Sequence, residues 1–113
     1  MSDAAIDREH FDDLRRDFSA AELEQLVAEF AGLAERQVAE VQQAIAAGRA
    51  DEAARHAHLL RGTAATVGAR PLAAAAAAIE QAVREGADEA ALRAVGGPLA
   101  ARADEVRAAL RTL

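Results

Sequence analysis

Apolar residues recur at spacings of three and four through most of the chain, the mark of amphipathic helices rather than strands. Phe11, Leu14 and Phe18 predict a short helix from Asp7 to Phe18. Ser19, with Glu22 three residues later, has the form of a capping box and predicts a new start. From there Leu23, Leu26, Val27, Phe30, Ala34, Val38, Val41 and Ile45 form one stripe, and the helix runs about eight turns to Gly48. Asp51 is the expected cap of a third helix with the stripe Ala53, Ala57, Leu60, Ala64 and Val67, ending at Gly68. Pro71 suits the first turn of a fourth, where Leu72, Ala76, Ile79 and Val83 share a face until Gly86. Asp88 caps the last, whose stripe is Leu92, Val95, Leu99, Ala103, Val106, Leu110 and Leu113. Gly96-Gly97-Pro98 interrupts that stripe without changing its phase, which predicts a kinked or locally broken helix rather than a long loop.

Composition sharpens this pattern. Of the hydrophobic residues, 34 are Ala and only 25 are bulky, so the core must come from helices that approach closely. Trp, Tyr and Cys are absent. The six alanines Ala73–Ala78 read as helix wall, since alanine is the best helix former and periodic residues flank the run. Short connections make successive long helices antiparallel neighbours. The expected fold is all-α: an antiparallel up-down four-helix bundle (19–113) with a short extra N-terminal helix (1–18), together one domain over 1–113.

Charge and missing residue types narrow the function. A formal net charge of −6 opposes the phosphate neutralisation that nucleic-acid binding needs. No apolar run has membrane-spanning length, and Met1-Ser2-Asp3 does not open a signal peptide, so a cytoplasmic protein is expected. With no cysteine, disulfides and thiolate metal sites are excluded. There is no glycine-rich phosphate loop after a strand, so no ATP site and no autonomous kinase are expected.

The informative stretch is Arg55-His56-Ala57-His58-Leu59-Leu60-Arg61-Gly62-Thr63-Ala64-Ala65. At about 100° per residue, Ala53, Leu60, Ala64 and Val67 lie opposite His58, so His58 points to solvent. Asp51, Ala54, Arg55, Arg61, Gly62 and Ala65 share its face, which reads as basic beside the imidazole and otherwise nearly bare. Gly62 costs about 1 kcal/mol relative to Ala inside a helix, and what it gives is open space one turn from the ring. Arg61 can reach anionic oxygens held at that ring. An exposed nucleophile, an adjacent cation and a clearing suit phosphoryl acceptance. An exposed helical histidine is otherwise an ordinary surface residue, and His10, with no motif around it, is read that way. His56 falls at the core edge and reads as a packed structural residue. His56 and His58 diverge by about 200°, which argues against a shared metal.

His58-Leu59-Leu60-Arg61-Gly62-Thr63-Ala64, followed by Gly68-Ala69 and Leu72, resembles the histidine-containing phosphotransfer (HPt) motif: His, two residues, usually Lys, Gly, a small pair, then a Gly-Ala turn. Arg61 departs from the lysine, in a chain whose 13 basic residues are all Arg. The resemblance implies a phosphocarrier with His58 as phosphoacceptor, Arg61 stabilising phosphate and Gly62 giving access. It implies receiver domains of response regulators as partners, with a hybrid sensor histidine kinase upstream, and no cofactor or metal on this chain. Arg55, Leu59, Gly62 and Ala65 are the docking candidates on what is expected to be a monomer. The alternative is a helical adaptor that binds a receiver without carrying phosphate.

Overall fold

The computed structural model describes residues 4–112, which form six helices; no strand occurs among them. Leu113, the last residue of the predicted stripe, and Met1-Ser2-Asp3 lie outside the described residues. The helices are α1 (Arg8–Asp17), α2 (Ala20–Ala46), α3 (Ala50–Thr66), α4 (Arg70–Arg84), α5 (Glu89–Gly96) and α6 (Leu99–Arg111). α2 packs on α3, α3 on α4, α4 on α5 and α6, and these return to α2.

Helix starts follow local hydrogen bonding. The capping box is complete: the Glu22 backbone N–H donates to Ser19 Oγ at 3.2 Å, and the Ser19 N–H donates to Glu22 Oε1 at 2.9 Å. The Ser19 backbone N–H, and after it the Ser19 side chain, hold the Glu22 carboxyl below its ordinary value. Asp88 caps α5 by accepting from the Ala91 N–H at 2.8 Å, and Asp7 caps α1. Asp51 is not a cap. α3 begins at Ala50, two residues earlier than that reading needs, with Arg49 at the cap position and its carbonyl already accepting from the Ala53 N–H. Asp51 sits in the first turn, where a carboxylate favours the positive end of the helix dipole.

The predicted stripes form the core. Val41, Ala53, Ala57, Leu60, Ala64, Leu72, Ala76, Ile79 and Leu99 are fully buried. Small side chains on both α3 and α4 let these helices approach, which is how so few bulky residues fill the interior. Phe18 departs from its stripe: it caps the end of α1 and is 40% exposed. The break between α5 and α6 arises at Pro98, which has no N–H to donate into the preceding turn. Gly97 and Pro98 keep right-handed helical backbone angles, so the path kinks rather than loops. Gly96 lies against α2, where an added Cβ would fall 2.7 Å from Ile45 Cδ1.

The segment before α2 is tied to the α3–α4 turn. The Asp7 N–H donates to the Gly68 carbonyl at 2.7 Å, Asp7 pairs with Arg70 at 2.6 Å, and His10 Nε2 lies 2.9 Å from the Thr66 carbonyl, to which it donates. His10 is therefore an interhelical tie, not the plain surface residue that its isolation in sequence suggests. Gly68 has φ +73°, a left-handed conformation that L side chains rarely adopt, and a Cβ there would meet the His10 ring at 3.1 Å. Ile6 and Phe11, 5% and 3% exposed, bury this segment against the bundle.

Candidate functional site

α3 presents His58 outward, with its side chain 64% exposed, while Ala57 and Leu60 on either side of the pair 58–59 are fully buried. The helical-wheel separation of His58 from the core thus holds in three dimensions. It also separates His58 from His56, whose side chain is 18% exposed and whose Nδ1 lies 2.8 Å from Glu40 Oε2 on α2. That approach brings opposite charges together when the ring is protonated, but it is not aligned as a hydrogen bond. His56 braces α2 against α3, as a packed structural histidine should.

The surroundings of His58 are not bare. Glu80 reaches across from α4, with Oε2 3.1 Å from His58 Nδ1. A carboxylate only accepts, so in this contact Nδ1 carries the proton and donates it. The lone pair is then on Nε2, the outer nitrogen. Arg61, one turn on, lies with Nη2 3.2 Å from the same Nδ1 and Nε 3.2 Å from Glu80 Oε1. Since guanidinium and a protonated Nδ1 are both donors, their approach is a consequence of sharing Glu80 rather than a bond between them. The Arg61–Glu80 contact is a charge pairing off the line of a hydrogen bond.

Burial explains why the three groups stay together. The Glu80 side chain is 10% exposed, and an anion so far from water is costly unless charge and hydrogen-bond partners compensate. Arg61, 43% exposed, supplies the charge, and the imidazole supplies the aligned donor. The result is an exposed imidazole bonded inward through Nδ1, its tautomer set from behind, with a guanidinium beside it. Sequence reasoning missed Glu80 because it lies outside the motif. Its signal was an acidic residue four positions after Ala76, on the edge of the buried stripe of an alanine helix.

The remaining predicted residues are arranged around this centre. Gly62 is open: an added Cβ would meet nothing within 4 Å. Arg55 and Ala65 are exposed on the same helix, and Leu59 is 49% exposed, a large apolar side chain beside the imidazole. On α2, Leu33 is also exposed at 38%. The Glu40–His56 contact fixes the register of the α2–α3 pair; because the chain reverses between these helices, Leu33 stands nearly level with Thr63 and Gln37 with Leu59. Among the described residues no cluster of His, Cys, Asp and Glu could hold a metal ion, and no helix is long and apolar enough to cross a membrane.

Among the described residues the chain is all-helical, with a solvent-facing histidine, a guanidinium beside it and a cleared helix face. The chain belongs to the Hpt domain family, whose model matches residues 25–113. This places it in phosphotransfer-related two-component signalling. No curated protein and no solved structure matches it.

Proposed function

We propose that the protein is a histidine phosphotransfer protein that carries a phosphoryl group on His58 between receiver domains of response regulators, one of them supplied by a hybrid sensor kinase. The observation that supports this most is the disposition of one ring: Nδ1 bonded inward to Glu80, with the Arg61 guanidinium beside that same nitrogen, on an exposed side chain next to the open surface at Gly62. In this reading the Nε2 lone pair attacks the phosphorus of a receiver's aspartyl phosphate, the P–O bond breaks, and the aspartate leaves as a carboxylate. Arg61 then neutralises charge on the transferred oxygens. The magnesium ion used by phosphoryl-transfer partners belongs to the receiver.

Arg55, Leu59, Gly62 and Ala65 form the docking face in this reading, and Leu33 extends it onto α2 as a second apolar contact. α2, α3, α4 and the kinked α5–α6 pair then make an up-down four-helix bundle, a monomer acting in the cytoplasm with its receivers. In the adaptor alternative the inward bond and the Arg61 contact serve only to compensate the buried Glu80 carboxylate.

The test is incubation of wild type and His58→Gln with a panel of phosphorylated receivers. Acid-labile label on wild type and none on the variant is the expected result. Equal labelling of both removes the reading, and labelling of neither by any receiver favours the adaptor.

A further inference from the structure

The apolar stripe of α2 is covered unevenly. Phe30, Ala34, Val38, Val41 and Ile45 are buried, but Leu23, Leu26 and Val27 are only half-buried. The path of the chain explains the difference. In the register set by Glu40 and His56, Gly68 at the α3–α4 turn stands level with Ala28, so the first two turns of α2 run past the ends of α3 and α4. Two helix positions are vacated there, and α1 fills one of them. α1 packs on α2 but makes no extended contact with α6. What is left is an open groove along α2 from Ala20 to Ala31, in two adjoining hollows of about 370 and 260 Å³ that share Glu24, Val27 and Leu110.

Shape and chemistry narrow what fits. The floor follows helical spacing along α2, through Ala20, Leu23, Val27 and Ala31, with Phe11 on the α1 side and Leu110 on the α6 side. From Ala20 to Ala31 is about 16 Å at 1.5 Å per residue, three turns of a helix laid along α2. Among the described residues there is no strand whose edge an extended peptide could join, so a helix seated in the groove is the mode available. Charge sets the character of that helix. The chain has a formal net charge of −6, yet the lining holds Arg15, Arg107 and Arg111 against one acid, Glu24. Arg15 lies 5.3 Å from the centroid of the Phe11 ring and 3.5 Å from Asp12, and Arg107 reaches Asp104 and, at 3.7 Å, Glu35. These pairs lie at the surface, where an ion pair is weak and readily exchanged for an acid of a partner.

We propose that this groove docks an amphipathic helix of a partner protein, apolar on the face it buries and acidic along its flanks, which takes the vacant position beside α2. The start of the groove, including Phe11, Arg15 and Leu23, precedes the stretch that the family model matches. His58 stands on α3, outside the lining, so the docked helix anchors the domain and leaves the imidazole face open. Docking here does not depend on whether His58 carries phosphate.

The test is an amide-shift titration of the ¹⁵N-labelled full chain with two helical peptides of about 16 residues, long enough to hold three turns. Both carry Leu at i, i+3, i+4 and i+7; one has Glu along its flanks and the other Lys. The Glu peptide is expected to give saturable shifts centred on Leu23, Val27 and Leu110, with a Kd about tenfold below that of the Lys peptide, and the gap should close as salt is added. Arg111→Glu, an exposed substitution in the last turn of α6, should remove most of that preference. Equal affinity for the two peptides, shifts confined to the face of Leu33 and Leu59, or no saturable shift overturns the proposal. Shifts in the groove that grow with protein concentration alone also overturn it, since the occupant is then a second copy. So do shifts produced there by phosphatidylglycerol vesicles, since the groove then meets a lipid surface.

Discussion

At Gly62 the cost and the use of one residue can be separated. A Cβ placed there touches nothing, so Gly62→Ala should fold and gain up to about 1 kcal/mol from the better helix former. The same methyl group stands on the face where a receiver would bring its aspartate. The expected outcome is a higher denaturation midpoint with slower phosphotransfer, measured on the same preparation; unchanged transfer would mean that the clearing has no role. Arg61→Ala should slow transfer tenfold or so, about 1.4 kcal/mol of lost transition-state stabilisation, and leave the helical spectrum intact. His58, Arg61 and Gly62 were legible because one helix carries them all and angle alone sorts its faces. Glu80 was not, since it meets them only after the chain reverses at Gly68. Counting outward from that turn, His58 is ten residues before and Glu80 twelve after, so the pairing was latent in the spacing once a helical hairpin was assumed.

Among the elements, α2 depends most on a local signal. Its N-terminal half carries Leu23, Leu26 and Val27 only half-buried, so packing defines its start less firmly than the capping box does. Ser19→Ala is expected to lower stability by about 1 kcal/mol in denaturant unfolding. Glu22 adds a pH dependence of known sign. Its carboxyl is held below the ordinary value of 4.5 in the folded state, so the stabilisation is present above that value and is lost as the pH falls through the lower folded one. Glu22→Gln should flatten that part of the acid-unfolding curve, and an unchanged curve would show that the box does not form in solution. Box signatures and the Asp88 cap could be read from sequence because capping involves residues three apart. The Asp51 reading failed by the same locality: several residues near a helix start carry a suitable side chain or carbonyl, and the backbone turn after Gly48 decided among them.

For the whole molecule, the folded unit is larger than the stretch that the family model matches. That match begins at residue 25, yet Ile6 and Phe11 are core residues, and Asp7 and His10 bond to the α3–α4 turn. Phe11→Ala should cost about 3 kcal/mol in denaturant unfolding, the usual penalty for emptying a buried aromatic site. An effect near zero would make the N-terminal segment dispensable. None of this docking was visible in sequence, because it joins residues almost sixty positions apart through a backbone carbonyl and a glycine that carry no pattern of their own. The all-helical class was visible, since the apolar stripes recur in every segment.

The central claim concerns one nitrogen. After incubation of uniformly ¹⁵N-labelled protein with a phosphorylated receiver, the ³¹P–¹⁵N coupling identifies the atom that bears the phosphoryl group. The account predicts phosphorus on Nε2 of His58 with the proton retained on Nδ1; phosphorus on Nδ1, on His10 or on His56 would contradict it.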